Sequence, residues 1–299
     1  MIGMTLLLTA LALLTDPEAA YPIEPLTLRR LYCSADLVVL AKAGPITPIP
    51  ERSDSWADSK VVLTIERVIK GKPKGKEVTV YTPQGIECPA PDRYPLGKSQ
   101  LVFLKWSKKL RGYVAPGLSY ATRPIEEPVL GLYLRRMEEL SRIPVEKPGE
   151  PPSAETLDWL VRCMEHPATR WEGAMEFQPP ERDDGPRPNA PSPAKLSREQ
   201  RTRLIDALAA TPGFDIDEIF VLQIFKDFPD TRIDTYLATE LRAQYARGTF
   251  NWTAHLMTLL SERLKFADSA KLIEEFKQAE DDEGTRKVLG KFLDLVEQQ

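Results

Sequence analysis

Residues 59–82 of this chain read "SKVVLTIERVIKGKPKGKEVTVYT". Val61, Leu63 and Ile65 alternate with Val62, Thr64 and Glu66, and "KEVTVYTP" alternates again, the period-2 pattern of strands with two unlike faces. Between them lies "KGKPKGK", in which Gly71, Pro73 and Gly75 supply turn geometry. Two strands joined this closely must pair as neighbours in one sheet. Everything on either side has to be compatible with that hairpin.

The flanking segments supply more strands. "DLVVLAKA" reads as a buried strand, "PITPIPERSDSWAD" as a loop, "SQLVFLKW" as another apolar strand and "RGYVAP" as a short closing one. A short helix, "LTLRRLYCSA", precedes them. Five strands in roughly a hundred residues joined by turns suit a small antiparallel barrel.

The second half reads differently. "EEPVLGLYLRRMEELSRI" places Val129, Leu132, Tyr133, Met137 and Leu140 on one helical face, and a proline-rich linker follows at 144–153. "AETLDWLVRCMEHPATRWEGAMEF" reads as two helices broken at His166–Pro167, and 178–196 as an exposed, mobile, proline-rich loop. From Ser197 onward amphipathic helices follow at short intervals, the first opened by a Ser-x-x-Gln capping box. The fold class expected is therefore α+β in two domains. A five-stranded antiparallel barrel with its flanking helix spans 21–143, and an all-α helical array spans 154–299. The rhythm of the second part has a weaker likeness to HEAT and armadillo arrays, with an irregular bundle as the alternative.

Residues 1–20 carry an apolar run, Thr5 to Leu14, followed by a breaker and by Ala19 and Ala20. This is the layout of a signal peptide, too short for a stable membrane anchor, although no Lys or Arg precedes the run. A periplasmic or secreted protein cleaved near Ala20 is expected. The charge is divided between the halves. Residues 21–145 carry 20 Lys/Arg against 13 Asp/Glu, a net +7, and residues 146–299 carry 20 against 29, a net −9. Oppositely charged halves can dock on each other.

The chain has 3 cysteines. In an oxidising compartment Cys33 and Cys88, which share the first domain, are expected to pair, whereas Cys163 sits in an apolar helical pattern. Chemistry-bearing motifs are sparse. There is no C-x-x-C, P-loop or dinucleotide glycine pattern, and the two histidines, His166 and His255, fall in different helices. Cys163 and His166 are spaced to meet on one helix face, but core packing is the simpler reading. "GLSYA" lacks the last glycine of a nucleophile elbow. "EDDEG" fits a helix N-terminus better than a calcium loop, and Asn251 of "NWT" reads as a sequon or an N-cap. No catalytic residue, metal or cofactor is expected.

One cluster does stand out. Lys70, Lys72, Lys74 and Lys76 on the hairpin turn, with Lys105, Lys108, Lys109 and Arg111 in "KWSKKLR", form a candidate binding patch. Lysines on a turn also serve simply to solvate it and to discourage edge pairing, and that reading comes first. Few aromatics accompany them, so nucleic acid is not the expected partner. An envelope or extracellular protein is.

The order "ADLVVLAKA", "VVLTIERVIKG", "EVTVYTPQGIEC", "YPLGKSQLVFL" resembles the bacterial relatives of the netrin-like and tissue-inhibitor-of-metalloproteinase-like module, over about residues 30–125. The resemblance implies a five-stranded OB-type barrel with an early cysteine tied to it by a disulfide, for which Cys33 and Cys88 are the available positions. In the animal inhibitors a cysteine at the mature N-terminus chelates the protease zinc. Cleavage near Ala20 would here leave Tyr21 first and Cys33 inside the chain, so that wedge does not carry over. Protease inhibition by another surface is compatible with the resemblance, and polyanion binding by the basic barrel face is the alternative function.

Overall fold

The computed structural model describes residues 26–50, 56–85, 91–117, 120–123, 125–147, 150–178, 190–211, 214–266, 269–279 and 281–298. The expected signal segment, Cys88 and residues 179–189 of the proline-rich loop lie outside these. Two compact units divide at Glu127/Pro128.

The first unit opens with α1 (Leu28–Ser34), capped by the Thr27 side chain, which accepts from the Arg30 amide. Six strands follow: β1 (Leu37–Pro48), β2 (Ser59–Lys70), β3 (Glu77–Thr82), β4 (Ser99–Ser107), β5 (Gly112–Val114) and β6 (Thr122–Arg123). The order is β1-β2-β3-β5-β4, and β1 pairs again with β4, which closes a five-stranded barrel; β6 lies along β4 beside β5. This is the OB-type arrangement that was expected, with one correction. The barrel is mixed, not wholly antiparallel, because β3 and β5 run parallel. Five strands in a closed ring cannot all alternate in direction, so one neighbouring pair must be parallel.

β1 is also longer than the sequence suggested. Residues 45–48, expected in a loop, continue it past a register shift between Ala43 and Ile46. Irregularities of this kind bend a strand enough to pair with two neighbours in a closed barrel. Gly44 sits at this bend, where a Cβ would lie 2.9 Å from the Val62 carbonyl oxygen. The alternation of β2 holds as read: Val61 and Leu63 are fully buried, and Lys60, Val62 and Thr64 face outward. Leu37, Val39, Ala41, Val80, Val102 and Leu104 complete the interior.

The second unit is all-α among its described residues: α2 (Val129–Leu140), α3 (Ala154–Met164), α4 (Pro167–Ala174), α5 (Arg198–Ala210), α6 (Ile216–Ile224), α7 (Thr231–Arg247), α8 (Thr253–Leu264), α9 (Ser269–Gln278) and α10 (Asp282–Glu297). Helix α2, which the sequence grouped with the barrel, belongs to this unit and packs on α3. Leu132, Tyr133, Met137 and Leu140 are its buried positions, and the Trp159 indole donates to the Arg136 carbonyl at 2.8 Å. The break before Pro167 is made by His166, whose Nδ1 accepts the Ala168 amide at 3.2 Å as the N-cap of α4.

Ser197 and Gln200 form the expected capping box on α5, and Asp215 with Glu218 forms a second on α6. Asp281 of the acidic stretch caps α10. Asn251 does not cap α8; Trp252 holds that position, with φ 61° and no side-chain bond. The far end of the loop placed at 178–196 is packed, since Pro191 and Leu196 are buried around a short 3-10 turn at Pro193–Lys195.

Candidate functional site

Strand direction determines where the two lysine-rich stretches lie. β2 ends and β3 begins at one end of the barrel, and β1 begins there too, since Val38 pairs with Lys70. β4 arrives at the same end, with Leu104 opposite Leu37, and turns into β5. The 71–76 turn and the 108–111 turn therefore share one end, although about thirty residues separate them in sequence.

Packing anchors both turns. Gly71 has φ +88°, and a Cβ there would lie 2.4 Å from the Asp36 carbonyl oxygen, so this turn is pressed onto the link between α1 and β1. The Asp36 carboxylate accepts the Trp106 amide at 2.8 Å, which ties the same link to β4. In the second turn the Ser107 hydroxyl oxygen accepts the Leu110 amide at 3.2 Å, Leu110 is buried, and Arg111 takes φ 52°. The lysine tips project from rigid bases.

The eight basic residues are not equivalent. Lys70 is half-buried, and its Nζ donates to the Tyr32 carbonyl at 2.6 Å while lying 4.7 Å from the Tyr32 ring centroid. An ammonium on the last carbonyls of a helix is a C-terminal cap, favoured by the helix dipole and the aromatic face. Lys70 therefore belongs to the scaffold. Lys72, Lys74, Lys76, Lys105, Lys108, Lys109 and Arg111 are exposed and make no ion pair among the described residues. By contrast Lys42, on the barrel wall, is tied to Glu66 at 3.2 Å.

Sequence reading missed an aromatic element. Trp106 is 46% exposed and meets Tyr113 edge-on, with ring centroids 5.2 Å apart and planes at 79°. The two residues pair across β4 and β5, continuing the inward face of Val102 and Leu104 to the barrel mouth. Burial, then the nearby Asp36 carboxylate, raises the Tyr113 phenol above its ordinary pKa. The signal was the alternation Val102, Leu104, Trp106, which places the indole where the barrel opens.

Of the cysteine expectations, the core position of Cys163 is met, and the Cys33–Cys88 pair falls partly outside the described residues. Cys33 is exposed at the end of α1, and its expected partner Cys88 lies outside the described residues. Cys163 is fully buried, and desolvation pushes its thiol well up, away from the thiolate a nucleophile needs. His166 is spent capping α4, and burial followed by the charges of Arg136, Arg170 and Arg135 lowers its pKa.

The helical unit contributes a cleft of about 510 Å³ lined by Ile205, Leu208, Leu222 and Ile233 below and by Asp206 and Arg232 at the rim. Tyr236 stands in its wall, where burial and then Glu240 push its phenol up to about 12. Under it, the fully buried Arg170 forms an ion pair with Glu218 and donates to the Thr211 hydroxyl at 2.9 Å and the Met164 carbonyl at 3.0 Å. No family model, curated protein or solved structure matches the chain.

Proposed function

We propose that this chain is an exported, non-catalytic binding protein whose barrel presents its basic end to an acidic protein surface. The observation that carries the reading is the convergence of two separate turns on one barrel end, with seven cations there that make no ion pair among the described residues. Such a patch raises the encounter rate with a negative surface and sets its orientation, whereas specificity has to come from shape around it. The cations cluster at one end of the barrel and do not run along it as a track, which suits a compact carboxylate-rich surface. The cleft between α5 and α7 offers a second surface of the same protein. The resemblance to inhibitor-like modules makes an envelope or extracellular protease one partner of this kind, engaged through a surface other than the N-terminal wedge.

One observation favours a second reading, polyanion or nucleic-acid binding. The exposed Trp106 indole lies among Lys105, Lys108 and Lys109, the pairing of stacking face and cation that single strands use. A single platform is short for that role, so this reading stands second. Titration with poly-L-glutamate and with a thymidine oligomer of equal charge separates the two. Comparable binding that is indifferent to Trp106→Ala supports the carboxylate reading. Preference for the oligomer, steeply salt-dependent and lost in Trp106→Ala by about 1–3 kcal/mol, supports nucleic acid. Binding to neither at low salt overturns both.

A further inference from the structure

The barrel end opposite the lysine turns has a different character. Ser59, Thr82, Gln100 and Thr122 are buried polar residues there, joined by Asp92 and Tyr94 from the segment that leads into β4. Among the described residues, three of these side chains lack hydrogen-bond partners. Asp92 is 2% exposed and neither carboxyl oxygen closes a hydrogen bond within 3.5 Å, although the Thr122 hydroxyl and the Ala121 and Thr122 amides approach it; the Tyr94 hydroxyl and both ends of the Gln100 amide are likewise unsatisfied. Burying polar groups without partners destabilises a fold, a carboxylate most of all, so three of them at one barrel end mark a function or a device.

The 91–98 segment is lightly held. Tyr94 is buried and belongs to the same interior cluster as Ala41, Ala43 and Val102. Beyond it, the Gly97 amide donates to the Ala43 carbonyl at 2.8 Å and the Ala43 amide donates to the Lys98 carbonyl at 3.4 Å. The Gln84 side-chain amide reaches the Asp92 carbonyl at 3.5 Å. The segment thus closes the barrel end through the Tyr94 side chain and its backbone bonds to Ala43, with a buried acid two residues before Tyr94.

We propose that residues 91–98 are a proton-operated plug: Asp92 seats the segment while its carboxyl is protonated and unseats Tyr94 when the proton leaves to bulk water. The charged or titratable groups facing Asp92 are Arg123 from β6 and Tyr94 from its own segment; the Thr122 hydroxyl and the Ala121 and Thr122 amides lie beside it, and Gln84 is neutral. Arg123 holds the Tyr120 carbonyl at 2.5 Å and the Leu26 carbonyl at 2.9 Å. Burial dominates over these attractions and pushes the Asp92 carboxyl up to about 7. Ionisation in place would put a charge in a dry site, and the cheaper route is to move the segment into water. A protein carrying this plug is most firmly closed near pH 4, opens progressively as pH rises to about 7, and changes no further in alkaline medium.

Hydrogen exchange of the full chain between about pH 4 and pH 8.5, corrected for intrinsic rates, tests this. The amides of 91–98 lose protection as pH rises from about 4 to about 7, by up to about tenfold for each pH unit, and level off above about 7, while β2 keeps its own. Asp92→Asn abolishes the loss. A pH-independent segment, a plateau that begins outside about pH 6–8, a drop shared equally by β2, or the same drop in Asp92→Asn overturns the proposal. The wild-type profile decides alone if the variant does not fold.

Discussion

The Lys70 ammonium donates to the Tyr32 carbonyl at 2.6 Å, on the last turn of α1, and so separates one lysine of the turn from its neighbours. Replacing Lys70 with Met removes a charge-assisted bond and an aromatic contact. The barrel should lose about 1–2 kcal/mol of stability in denaturant melts, with binding of acidic probes changed by less than about twofold. Lys74→Ala should do the reverse.

Gly71 is the hinge of that turn. Alanine there combines φ +88° with a Cβ 2.4 Å from the Asp36 carbonyl oxygen, a backbone atom that cannot rotate away. We expect a loss of at least about 1–2 kcal/mol in thermal or urea unfolding of the barrel. Gly75→Ala is the control, because nothing lies within 4 Å of its Cβ position.

In the helical unit, Arg170→Met should cost about 3–5 kcal/mol by leaving Glu218 charged and buried. The double variant Arg170→Met/Glu218→Leu should recover much of this in the same urea titration. A single variant no worse than the double would show that the pair is not coupled.

Asp92 makes a pH prediction of definite sign. Its folded pKa of about 7 lies above the ordinary 3.8, so the folded state holds the proton more tightly than the unfolded chain. Its contribution is most favourable below about pH 4, is lost as pH rises from there to about 7, and is flat beyond. Asp92→Asn should flatten that part of the stability profile and leave the variant more stable than the parent at about pH 8.

Much of the architecture was legible because the chain is locally consistent. The alternation of β2 and β3, the glycines of their turn, the His166–Pro167 break and the Ser197–Gln200 box each point to one local structure, and each forms. What escaped depends on closure. The parallel β3–β5 contact follows from ring parity, not from either strand's residues. The continuation of β1 through Pro45 was hidden because a bulge reads as a loop. The site was half legible: the lysines were visible, but only strand direction unites the two turns, and only burial reveals that Lys70 is spent on Tyr32. Trp106 looked like one aromatic of an apolar strand until the barrel mouth placed it among cations. Asp92 and Tyr94, in the unremarkable stretch "PDRYPLGK", gave no periodic signal.

The most direct test of the account is retention on immobilised poly-L-glutamate at low salt. A variant with Lys72, Lys74, Lys76, Lys108 and Lys109 all changed to Glu is compared with one in which Lys60, Arg93 and Lys98, away from that end, are changed to Glu. With both folded by circular dichroism, the first should lose at least about a hundredfold in affinity, a little over 0.5 kcal/mol per reversed charge, and the second no more than a few-fold. Equal losses in the two variants would contradict the assignment of the basic barrel end as the recognition surface.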